Sequence, residues 1–111
     1  MKNLEIYQKI SVLHCVYQTI ASADGCVDEE RDQLAIELSL TEVGFSDFSY
    51  WDRSLQLNPY DAFIHLSILS DADKHLFRSL LQQISEMGGN TLFRVNCAQY
   101  LIQLANCNEN I

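Results

Sequence analysis

Apolar residues recur along this chain at steps of three and four, almost from end to end. From Lys2 to Ala23 they fall at Ile6, Tyr7, Ile10, Leu13, Val16, Tyr17, Ile20 and Ala23, one stripe of a helix. Gly25 breaks that helix, and Asp28 can cap the next, with Glu29 and Glu30 in its positive first turn. This second helix runs to about Ser39, with Leu34, Ala35, Leu38 and Ile36 turned inward, and Thr41 to Phe45 reads as a loop. Ser46 opens a short helix from Asp47 to about Gln56 that buries Phe48, Trp51 and Leu55. Asn58-Pro59 is a start signal, an N-cap followed by proline at the first helical position, for a helix packed through Phe63, Ile64, Leu66 and Leu69. Ser70-Asp71-Ala72-Asp73 starts a fifth helix with Leu76, Phe77, Leu80, Leu81, Ile84 and Met87, stopped by Gly88-Gly89. Asn90 caps a sixth, packed through Leu92, Phe93, Cys97, Tyr100, Leu101 and Leu104, and the tail from Asn106 should fray. No segment alternates as a strand would. The expectation is an all-α compact bundle of about six helices, one domain over residues 1–111.

Shifting the chain on itself by about 64 residues adds a weak internal two-fold repeat. Ile20 then falls on Ile84, Gly25 on Gly89 and Leu38 on Ile102. The acids do not repeat: Asp24 falls on Gly88, Asp28 on Leu92, Glu29 on Phe93 and Glu30 on Arg94.

Charge narrows the partners. Fifteen acids against seven bases leave a net charge of −8, which repels phosphate backbones and favours a cation or a basic peptide. No apolar run is long enough to span a bilayer, and nothing at the N-terminus reads as a signal peptide. The four cysteines, Cys15, Cys26, Cys97 and Cys107, show no C-x-x-C spacing. A cytoplasmic protein with reduced thiols, Cys15 and Cys97 serving as small core residues, follows from that.

The densest chemistry lies in Ala23-Asp24-Gly25-Cys26-Val27-Asp28-Glu29-Glu30, where Asp24, Asp28, Glu29 and Glu30 crowd one turn. Such a turn either complements a helix dipole or holds Ca²⁺ or Mg²⁺ through Asp24, Asp28 and Glu30. An EF-hand is excluded: aligned on Asp24-Gly25, its first and last ligand positions are Ile20 and Arg31. An apolar helix ending in Ala23-Asp24-Gly25, then Val27 and the acids Asp28, Glu29 and Glu30, resembles the TerB-like family of tellurite-resistance and DnaJ-class co-chaperone domains. Asn58-Pro59-Tyr60-Asp61-Ala62, Ser70-Asp71-Ala72-Asp73 and the Gly88-Gly89 turn are similar to later parts of that domain. The resemblance implies a helical bundle, a divalent-cation site at the turn, and a link to stress or metal resistance rather than a defined reaction. Arg31 stands where the family often has glutamate, and the second turn has no Asp.

Other groupings carry weaker chemistry. Asp71 and His75 share a helix face and could hold a transition metal, although acids at a helix start also explain them. Adjacent His14 and Cys15 point to different faces, against a zinc site with Cys26. Phe48, Tyr50 and Trp51, beside Phe45, form an aromatic cluster that is either core or an anchor for a partner. The leading expectation is a non-catalytic interaction module that binds a partner protein or a second copy of itself, with a cation at the acidic turn. The alternatives are a small metal-assisted hydrolase using the same acids, and a purely structural oligomerisation domain.

Overall fold

Seven consecutive positions of the first helix, from Ile10 to Val16, are buried. A helix buried on every side must have neighbours on every side. A computed structural model of the chain, which describes residues 1–22, 29–87 and 91–107, supplies them. Its helices are α1 (Ile6–Ala21), α2 (Glu29–Val43), α3 (Ser49–Leu55), α4 (Pro59–Ser67), α5 (Asp71–Glu86) and α6 (Thr91–Leu104). Each of the other five packs against α1. No strand occurs among the described residues, so the all-α bundle is what the chain forms. Its radius of gyration, 12.7 Å, is that of a closely packed chain of this length, ~13 Å.

Polar groups enter the core on α1 because their partners lie on the same helix or on α3. Ser11 donates to the Tyr7 carbonyl at 2.6 Å, and Thr19 to the Cys15 carbonyl at 2.9 Å. Both bonds are local and saturate hydroxyls that would otherwise be buried unpaired.

The helix starts follow the local chemistry. Asn58 Oδ1 accepts the Tyr60 N–H at 2.9 Å, with Pro59 in the first turn of α4. Ser70 Oγ accepts the Asp73 N–H at 3.2 Å and donates to the Asp73 carboxylate at 3.0 Å. At α3 the N-cap position is Phe48, which has no side-chain cap bond, and the residue before it supplies the local acceptor. Asp47, not Ser46, accepts the Ser49 hydroxyl and, at 2.8 Å, the Ser49 N–H. Those two bonds hold the Asp47 carboxyl below the usual carboxylate range.

The second helix runs past the expected end at Ser39 to Val43, into the expected loop of Thr41 to Phe45, of which Gly44 and Phe45 remain outside the helix. Its stop is Gly44, in the left-handed region with φ +82°. The Gly44 N–H bonds the Thr41 carbonyl at 3.0 Å and the Phe45 N–H bonds the Leu40 carbonyl at 2.9 Å, a Schellman close. The same close ends α6, with Asn106 at φ +54° and the Cys107 N–H on the Ile102 carbonyl at 2.9 Å. Asn106 and Cys107 are thus held in place, and Cys107 is buried, where a frayed tail was expected.

Helix α6 presents a face other than the expected one, whereas on α2 (Ala35, Ile36, Leu38) and at α4 (Phe63, Leu66 and, just past its end, Leu69) the expected residues pack inward except for Leu34 and Ile64. On α2 the interior positions are Asp32, Ala35, Ser39, Leu40 and Val43, while Leu34 is exposed. On α4 Ala62 and Leu66 are buried and Ile64 points out. On α6 Arg94, Ala98, Leu101 and Ile102 are buried, and Leu92, Phe93, Tyr100 and Leu104 are exposed. Phe48, Leu55 and Leu76, expected inside, are also exposed. The expected ends at Gly25 and at Gly88-Gly89, and the caps Asp28 and Asn90, lie outside the described residues.

A Cβ at Gly44 would meet Lys2, its Cγ at 3.2 Å and its Cα at 3.6 Å, so the main cost of Gly44→Ala is that of the left-handed backbone. Urea unfolding of this variant is expected to show a loss of about 1–2 kcal/mol with unchanged slope.

Candidate functional site

Of the three acids expected to hold a cation, Asp24 and Asp28 lie outside the described residues. Glu30 is exposed on the first turn of α2, beside Glu29. The third acid of that turn, Asp32, is buried and engaged elsewhere. Among the described residues no group of three His, Cys, Asp or Glu side chains is placed to hold a metal ion. Asp71 is exposed, and the Nδ1 of His75 faces the Arg78 guanidinium at 3.4 Å.

Asp32 meets Arg94, a residue that sequence periodicity had not placed in the core. The two guanidinium nitrogens reach the two carboxylate oxygens: Nη1 to Oδ1 at 2.8 Å and Nη2 to Oδ2 at 3.3 Å. Nη1 also donates to the Met87 carbonyl at the end of α5, at 2.6 Å. Arg94 is completely buried, and its Nε has no acceptor among the described residues. One side chain therefore fastens the starts of α2 and α6 to the end of α5. Pairing offsets the cost of removing the two charges from water, and a lone survivor is costly.

The aromatic cluster divides. Trp51 is 9% exposed and packs edge-on against Tyr17, with ring centroids 6.3 Å apart. Tyr50 stacks on Phe45 at 3.9 Å, and this pair is sandwiched between Lys9 over Phe45 and Arg53 over Tyr50. Phe48 alone of the three expected partner-binding residues is exposed. Tyr50 and Trp51 spend most of their surface on fastening α3 and the α2–α3 connection to α1.

The histidine and thiols of the core are poor catalytic groups. His14 Nδ1 lies 2.8 Å from the Ser54 carbonyl, which makes it the donor, and Nε2 faces the Gln18 amide at 3.4 Å. Burial pushes the Cys15 thiol far up, with Cys107 and Cys97 adding to the effect. Burial likewise pushes Cys107 up to about 11, against the pull of Lys74 and Arg78. Cys97 is raised by burial too, although Ser22 and Thr19 oppose it. Protonated thiols are weak nucleophiles.

An apolar recess opens elsewhere, between α1, α4 and α6. It holds about 620 Å³ and is walled by Tyr60, Phe63 and Ile64 of α4 and Cys97, Tyr100 and Leu104 of α6. Leu101, Gln18 and Pro59 complete it. Three of the wall residues stand well out of the protein: Tyr60 is 76% exposed, Ile64 63% and Tyr100 61%. Cys97 is half-buried, and its thiol donates to the Gln18 carbonyl at 3.5 Å. Sequence reasoning assigned Phe63, Ile64, Tyr100 and Leu104 to the core, and of these only Phe63 packs against it. The missed signal is that α6 carries apolar residues on all its sides, more than one bundle can cover.

No family model, no curated protein and no solved structure matches this chain.

Two outcomes are expected. Asp32→Ala and Arg94→Ala should each lose about 3–5 kcal/mol in urea unfolding, and the double variant much less than their sum. Alkaline stability should fall with pH. An unfolded thiol ionises near its ordinary 9.0, whereas folded Cys107 keeps its proton to about 11. Between those values the unfolded chain binds fewer protons, so stability drops by up to about 1.4 kcal/mol per pH unit for each such thiol. Unfolding at pH 8 to 11 checks this, and Cys15→Ala with Cys107→Ala should flatten the slope.

Proposed function

We propose that this chain is a non-catalytic interaction module, of the kind that its Ala-Asp-Gly turn resembles, and that it receives a partner protein in the recess between α4 and α6. The observation that supports this most strongly is the exposure of Tyr60, Ile64 and Tyr100 around one apolar recess. Large exposed apolar groups gathered into one patch mark interaction surfaces more than isolated ones do. Tyrosine is favoured at such centres because it covers much area with little rotamer freedom to lose. The tied imidazole of His14 and the protonated thiols also favour a binding role over a hydrolytic one. Phe48 remains available as a peripheral contact.

A divalent cation at Asp24, Asp28 and Glu30 is the second part of the reading, and it would stiffen the join between α1 and α2. Saturable one-site Ca²⁺ or Mg²⁺ binding that is lost in Asp24→Ala would support it. No heat of binding up to millimolar ion would remove it.

The partner reading is tested with immobilised protein and extract of its own cells. Wild type should retain a discrete protein that Ile64→Glu/Tyr100→Glu fails to retain, while both keep the same circular dichroism and melting temperature. An unchanged set of retained proteins would contradict the reading.

A further inference from the structure

The α4–α6 recess has a definite shape and a definite electrostatic setting, and together they specify what fits. Tyr60, Phe63 and Ile64 are spaced i, i+3, i+4 on α4, and Cys97, Tyr100, Leu101 and Leu104 are spaced i, i+3, i+4, i+7 on α6. Two such ridges with a trough between them are the surface into which a third helix packs its own ridge. No strand edge borders the recess among the described residues, so an extended peptide would find no backbone to pair with. From Phe93 to Leu104 the exposed side of α6 runs for about 17 Å, three turns of a complementary helix.

Charge then chooses between a second copy and a different partner. The recess lining carries no charged residue. All seven Lys and Arg side chains are among the described residues, and none lies on α4. Arg94 is the one base of α6, and it is buried and neutralised by Asp32. The exposed charged residue of α4 is Asp61. The Asp32–Arg94 pair brings the start of α6 to the first turn of α2, which exposes Glu29 and Glu30 with Arg31 beside them. Lys74 and Arg78 lie near the other end of α6, beyond Leu104, where Arg78 is occupied in donating to the Cys107 carbonyl at 2.7 Å. A second copy would add its own charge of −8 to this field and be repelled.

We infer that the α4–α6 groove binds an amphipathic helix of a partner protein, apolar on one face and basic on the other. This rests on the interaction-module reading and adds the partner's chemistry to it. The apolar face fills the trough, and the basic face is attracted by the net charge of −8 that the whole protein carries.

The test uses fluorescein-labelled, helix-stabilised 14-residue peptides with leucine on one face and lysine on the other. Controls have glutamate in place of lysine, or the same residues scrambled. Anisotropy at physiological salt should show one saturable site for the Leu/Lys helix, at least tenfold tighter than for either control. Bound peptide should slow alkylation of Cys97, read by peptide mass mapping, at least fivefold. Ile64→Glu/Tyr100→Glu should weaken binding at least tenfold, whereas Leu34→Glu, on the exposed acidic side of α2, should not. Equal binding of the Leu/Glu helix, with Cys97 protected, would overturn the basic partner and leave the module reading standing. Leu/Lys binding that neither protects Cys97 nor responds to Ile64→Glu/Tyr100→Glu would overturn the groove as its site. Protection of Cys97 by oleate but by no peptide would overturn the protein partner in favour of a lipid.

Discussion

The buried guanidinium of Arg94 constrains more of this structure than any other group. A charge with no access to water must be met by an opposite charge, and Asp32 is where it is met. The bidentate bond fixes how α6 is rotated about its axis. With Arg94 inward, Ala98, Leu101, Ile102 and Ala105 follow it into the core at helical spacing. The same rotation turns Phe93, Tyr100 and Leu104 outward. The exposed wall of the groove is therefore a consequence of the ion pair, and not an incidental failure to bury apolar surface. Local electrostatics at one end of a helix decides what its far side offers to a partner.

The number and order of the helices were legible in the sequence because their boundaries are local. Asn58-Pro59 and Ser70 with Asp73 act within one turn, and the bonds they predict are present. The end of α2 was misplaced because Gly44 closes it through a Schellman turn, while Thr41 to Phe45 was read as a loop. A glycine followed by an aromatic residue was the available signal.

Facing was the least legible property. Apolar periodicity assigns charge to the surface, so neither Asp32 nor Arg94 was counted among the inward positions of its helix. The pair is separated by 62 residues, and nothing in either local pattern announces the other. The repeat offset sets Arg94 against Glu30, but the contact that forms is to Asp32, two positions on. Aromatic residues were ambiguous for a related reason. Trp51 and Tyr50 find partners in Tyr17 and Phe45, whereas Tyr60 and Tyr100 find none inside the bundle strong enough to cover them. Only the three-dimensional count of available neighbours separates the two cases.

The central claim is that the Asp32–Arg94 pair sets the rotation of α6 and so builds the groove. Hydroxyl-radical footprinting of α6, in wild type and in Asp32→Ala, tests it most directly. The account predicts heavy labelling of Phe93 and Tyr100 with protection of Leu101 and Ile102 in wild type, and a clear loss of that contrast in the variant. Protection of Phe93 and Tyr100 in wild type, or an unchanged contrast in a folded Asp32→Ala protein, would contradict it.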